Sequence, residues 1–157
     1  MGNKRFFTVV YLISSIILIV WIFYSFFTFA PGMAIEDLSS NTKRLATNFF
    51  FNKMTAFAQL SIALLGGLWA FLSLADTQIK IEGWEIVTCF GLTNLMLGSS
   101  LISYAWGYDF IVERLFYHSS FDIEAPLVSF VKNTQQYLFL DGCLGFCITI
   151  IFGRKMT

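Results

Sequence analysis

Long uncharged runs alternate with short charged ones along the chain, and this pattern sets the expected fold. From Phe6 to Ile35 no Lys, Arg, Asp, Glu or His interrupts the sequence. An apolar helix needs about 20 residues to cross roughly 30 Å of hydrocarbon, so this run is predicted to span a membrane even if it ends at Pro31-Gly32. The same criterion predicts four spans, at about 6–30, 54–75, 86–108 and 133–153. The expected fold class is an all-α integral membrane protein. It is a four-helix transmembrane bundle forming a single domain over residues 1–157, with interfacial amphipathic helices in its two longer connections.

The connections carry their own signals. In the first, Glu36 and Asp37 suit a helix start, and Leu38, Leu45 and Phe49 fall on one face, which predicts a helix lying in the interface. The second is short and polar, ends near the interfacial anchor Trp84, and makes a hairpin of the second and third spans. In the third, Phe110, Ile111, Leu115 and Phe116 are mixed with Glu113 and Arg114, so the third helix is expected to run on along the interface. A break at His118 to Asp122 follows, and Glu124 and Pro126 then mark a new helix start.

Small residues recur inside the spans. Ala63, Gly66, Gly67 and Ala70 stand at i, i+3, i+4 and i+7; Gly91 and Gly98 punctuate the third span, and Gly142 and Gly145 the fourth. Such faces let helix backbones approach closely where lipid removes the hydrophobic drive. Each is expected to pack against a helix, of the same chain by preference or else of a neighbour.

The polar residues singled out within the spans, besides scattered Ser and Thr, are Gln59, Asn94, Ser100 and one acid, Asp141. A charge there costs at least a few kcal/mol, so Asp141 should face the bundle interior and be paired or protonated. Taking Lys132 to lie near the outer surface puts Asp141 about 13 Å below it. The same counting places Ser100 and Gln59 near that depth and Tyr24 within reach. Asn94 is expected to hydrogen-bond a neighbouring helix.

Composition agrees with a membrane protein: 57% hydrophobic and 18% aromatic residues, only 13% charged, and a mean hydropathy of +0.70. Ten basic and ten acidic residues cancel, so direct nucleic-acid binding is not expected. The first run is too long for a signal peptide, and Ala30-Pro31 lacks a small-x-small cleavage pattern, so it is read as a retained anchor. Phe6 stands where a myristoylation motif needs Ser or Thr. Cys89, Cys143 and Cys147 lie in spans with no histidine near, which makes them small apolar residues rather than metal or redox groups. No Ser-His pair, His-Glu metal box or phosphate loop is present, so no enzyme, metal or cofactor is expected. Lys4-Arg5 and Arg154-Lys155 flank the outer spans and favour cytoplasmic termini.

Two functional readings follow. A channel or proton path would use Asp141, Gln59 and Ser100 as its polar lining. The favoured reading is a membrane module that works by association, as a homo-oligomer in the lipid bilayer that recruits a soluble cytoplasmic partner. Considered whole, the chain resembles in architecture alone two families of small bacterial four-span proteins, and no motif such as WIFYSFF or LDGCLGFC carries over residue by residue. One is the membrane subunit of the Kiwa anti-phage system, which forms oligomers with a soluble DNA-binding partner; the other is the immunity proteins against pore-forming colicins. The first resemblance implies a sensor or anchor subunit of a defence complex in a bacterial inner membrane, and the second a factor that acts alone. Neither assigns a role to any residue.

Overall fold

The computed structural model describes residues 2–27, 40–73, 83–118 and 126–153. They form helices α1 (Gly2–Phe27), α2 (Ser40–Ser73), α3 (Trp84–His118) and α4 (Pro126–Gly153). The stretches Arg5–Ser25, Thr47–Phe71, Trp84–Phe110 and Val128–Gly153 are each long and apolar enough to cross a membrane. The fold is therefore an all-α four-helix bundle whose helices suit a bilayer.

Cross-helix pairs give the topology. Phe51 meets Tyr108, Thr55 meets Tyr104 and Trp69 meets Phe90, so α2 and α3 run in opposite directions. Phe7 meets Phe152, and Trp21 meets Tyr137, so α1 and α4 are also antiparallel. Between α2 and α4 the order is the same, Met54 on Gln135 and Phe57 on Phe139. The bundle runs up-down-up-down, and α3 and α4 form its centre. Each flanking helix packs on both of them, whereas α1 and α2 do not pack together.

Glycine accounts for the closeness of the central pair. A Cβ on Gly142 would collide with Leu97, and one on Gly107 with Val131 and Met54. Around these contacts lie the buried residues Met96, Leu97 and Leu138, and, nearer the α4 start, a cluster of Phe50, Met54, Val128 and Val131.

Local chemistry sets the helix starts. Gly83, at φ 92°, adopts the left-handed conformation that favours glycine, and its carbonyl accepts the first helical bond of α3, from Val87 N at 3.2 Å. Glu85 sits in the first turn, where the macrodipole favours an acid, and takes Arg5 Nε at 3.0 Å. Arg5 is largely exposed, so this bridge contributes little. Pro126 opens α4 in the first turn, where its missing N–H costs nothing.

The connections are more helical than separate interfacial segments would be. From Ser40 the first connection runs directly into α2, and α3 continues to His118. Glu36, Asp37, Leu38 and Arg154-Lys155 lie outside the described residues. The seven residues from Pro126 to Lys132 belong to α4, in agreement with the helix start expected at Pro126.

Candidate functional site

Asp141 lies midway along the apolar stretch of α4, and Ser15 lies midway along that of α1. The two meet. Ser15 Oγ donates to Asp141 Oδ2 at 2.6 Å, and Ser14 Oγ donates to Oδ1 at 3.1 Å. Among the described residues these serines are the partners of the carboxylate, and both are neutral. Ser15 is fully buried and Asp141 is half-buried. An O–H···O bond of this length is at the short end of the usual range.

A second layer surrounds the pair. Gly145, one turn beyond Asp141, admits the Tyr11 hydroxyl and Thr93 Oγ1 into space that a Cβ would occupy. Thr93 gives its own proton to the Cys89 carbonyl, as Thr149 does to that of Gly145, both at i−4. The Tyr11 hydroxyl stands beside Thr93 and Ser15 but forms no hydrogen bond of good geometry with either. Cys89 Sγ donates to Thr8 Oγ1 at 3.6 Å, which continues the line of polar contacts down the α1–α3 seam. On its open side the carboxylate borders a groove of about 330 Å³ between α1 and α4, walled by Leu18, Tyr137, Leu140 and Leu144. Chemically this is an interhelical clamp with one face towards the lipid zone.

Ser100, Gln59 and Tyr24, counted to lie near the depth of Asp141, do not gather around it. Ser100 donates to the Gln135 carbonyl at 3.1 Å and accepts from Ser61 at 3.5 Å, on the α2 side of the central pair. Gln59 is exposed on α2, and Tyr24 is exposed on α1, nine residues beyond Ser15. The apolar stretch of α4 begins at Val128, four residues before Lys132, and Asp141 stands midway along it. Asn94 is bonded twice, from its Nδ2 to the Phe90 carbonyl at 2.8 Å and from Trp69 Nε1 on α2 to its Oδ1 at 2.9 Å.

The small-residue faces divide. Gly142 and Gly145 are buried and tightly contacted. The expectation of packing within the chain is corrected for the others: Gly66, Gly67, Gly91 and Gly98 have nothing within 4 Å of a would-be Cβ. Ala63, Gly66 and Ala70 are exposed as well. On α2 the buried residues Met54, Ser61 and Leu68 recur every seven positions, and the stripe falls on the opposite side of the helix. The physical reason is that lipid and protein interior are equally apolar, so small size marks a close approach without saying to which helix.

The residues that matter most to the bundle carry weak sequence signals. Ser14-Ser15 was visible as the adjacent pair of hydroxyls in the middle of the first run. Gln135 carried no signal beyond being polar, yet it is buried and its Nε2 donates to the Met54 carbonyl at 2.8 Å, tying α4 to α2. Among the described residues no three His, Cys, Asp or Glu side chains gather where they could hold a metal ion. No protein-family model, curated protein or solved structure matches the chain.

Proposed function

We propose that the protein is a non-catalytic membrane module that works by associating with other chains. The observation that carries this reading is the open space at Gly66, Gly67, Gly91 and Gly98, on the faces of α2 and α3 turned away from the bundle. Glycine in a helix interior lowers stability by roughly 0.5–1 kcal/mol relative to alanine, and inside this chain these four gain no packing in return. A second helix seated on them would supply that packing. The buried groups support the same reading, since they are used in joining helices: Asp141 to Ser14 and Ser15, Gln135 to Met54, Ser100 to Ser61. Asp141, Gln59 and Ser100 lie on three different faces, which weighs against a continuous polar path.

The test is the mass of the full chain taken from its membrane in lipid nanodiscs without prior detergent exchange. The expected result is particles holding whole multiples of the 17.9 kDa chain, with or without a stoichiometric soluble partner. A single copy per particle at all expression levels, with no partner, would refute the reading and favour a factor that acts alone.

A further inference from the structure

We infer that the outward face of α2 is a pairing seam for a second copy of this chain, the two α2 helices lying parallel about a two-fold axis along the membrane normal. This rests on the association reading above and gives it a surface and a partner. The face is more regular than a stripe of small residues. Phe49, Ala56, Ala63 and Ala70 recur every seven positions, and so do Asn52, Gln59, Gly66 and Ser73, three positions further on in each repeat. All of them are exposed. Two interleaved seven-residue series are the pattern by which helices pair with a left-handed crossing, the crossing most common between membrane helices.

Gln59 says what covers this face. It lies midway along Thr47–Phe71, at the centre of the apolar stretch, and no hydrogen bond reaches it from any described residue. A carboxamide there faces hydrocarbon with its donors and acceptors unmatched, which is costly. Copies of one chain insert with one orientation, so their α2 helices are parallel and each Gln59 meets its counterpart at the same depth. A carboxamide both donates and accepts, so two of them satisfy each other across a two-fold axis, as an isologous contact requires. A different partner would have to bring a polar group to that same level. A second copy brings one by symmetry.

The neighbouring geometry permits the approach. Ala56 and Ala63 flank Gln59 by one turn on either side, and Gly66 follows, so nothing larger than a methyl group separates the backbones near it. Lys53 extends over the Phe57 ring, 5.9 Å from its centroid, which takes its charge off the seam. The outer face of α3 also repeats small residues, at Gly91, Gly98 and Ala105. Its amide, Asn94, is already bonded to Trp69 and to the Phe90 carbonyl, so hydrocarbon leaves nothing unmatched there.

Oxidative cross-linking in native membranes tests the seam, using the full chain with Cys89, Cys143 and Cys147 replaced by alanine and single cysteines added. Ala56→Cys, Ala63→Cys and Ala70→Cys are expected to give a covalent dimer, whereas Ile62→Cys, exposed on the same helix but off the seam, and Ile102→Cys on α3 are not. Gln59→Leu is expected to weaken pairing, read by energy transfer between labelled copies, at least about tenfold. Its abundance should match wild type, because Gln59 touches no partner in its own chain. Gln59→Asn should keep part of the pairing. Cross-linking led by Ile102→Cys, or Gln59→Leu pairing as well as wild type, would overturn the seam while leaving association itself standing. Adducts of another mass at Ala63→Cys would overturn the second copy as its occupant. No cross-link at any position, together with single-copy nanodiscs, would remove both the seam and the association reading.

Discussion

Removing the Ser15 hydroxyl should loosen α1 from the central pair by an amount that can be worked from the contacts. Ser15 is fully buried, and its Oγ is 2.6 Å from Asp141 Oδ2. Ser15→Ala takes away that donor, and neither water nor lipid can reach the space to replace it. Leaving a buried acceptor unmatched costs about 1–3 kcal/mol. Asp141 keeps the Ser14 bond at 3.1 Å and has one side open to the groove, so the lower half of that range is expected. Ser14→Ala, with a longer bond from a half-buried residue, should cost less. The pairwise part is isolated by a double-mutant cycle of Ser15→Ala with Asp141→Ala. Interhelical hydrogen bonds in membranes measured in this way average about 0.6 kcal/mol and reach about 1.7, and a bond as short as this one belongs near the upper end. The assay is equilibrium unfolding of the purified chain in mixed micelles of increasing dodecyl sulfate fraction, followed by near-ultraviolet circular dichroism. A coupling energy indistinguishable from zero, below about 0.3 kcal/mol, would refute the clamp. Asp141→Asn keeps a hydrogen-bonding group of the same shape, so it should hold most of the stability. If it assembled normally and lost the protein's activity, the clamp would not be a full account of the residue.

The two classes of glycine should separate in the same unfolding assay. Gly145→Ala drives a methyl group into the Tyr11 and Thr93 hydroxyls and should cost about 1–3 kcal/mol. Gly66→Ala meets nothing within 4 Å and should leave folding unchanged or slightly improved. Gly67→Leu should likewise fold at wild-type abundance; a folding defect there would mean that the face is covered within the chain. For topology, Ser40→Cys at the start of α2 is expected to label with an impermeant thiol reagent from outside. Trp84→Cys at the start of α3 should label only after permeabilisation, and the reverse result would invert the orientation.

The existence and approximate limits of four helices could be read from the sequence, because a charge-free run of that length has few alternatives. Which way each face points could not. Direction was hidden because the usual guide, apolar side inward, is silent when both sides are apolar. Gly66 and Gly145 are equivalent as letters, and only their neighbours show that one is open and the other filled. Ser14 and Ser15 carried only the weak signal of polar residues in an apolar run, and nothing in the sequence pointed to their partner. Pairing Ser15 with Asp141 requires knowing that α1 packs on α4; four crossings dictate that the two run antiparallel but not that they touch.

The two flanking helices are held by separate devices, and this has a measurable consequence. α1 is fixed through Asp141 with Ser14 and Ser15, and α2 through Gln135 on the Met54 carbonyl, Ser61 on Ser100 and Trp69 on Asn94. The two sets share no residue, and α1 and α2 do not pack together. Perturbations with no common partner add to within about 0.5 kcal/mol. Ser15→Ala should therefore leave pairing through the α2 face at wild-type strength, and Gln59→Leu should leave the unfolding free energy of the single chain unchanged. The double variant should show both defects with no coupling between them. Loss of pairing in Ser15→Ala at a dodecyl sulfate fraction where the chain is still folded would mean that α1 and α2 communicate through the α3–α4 pair. The bundle would then be a single cooperative switch rather than a rigid centre carrying two independently attached helices.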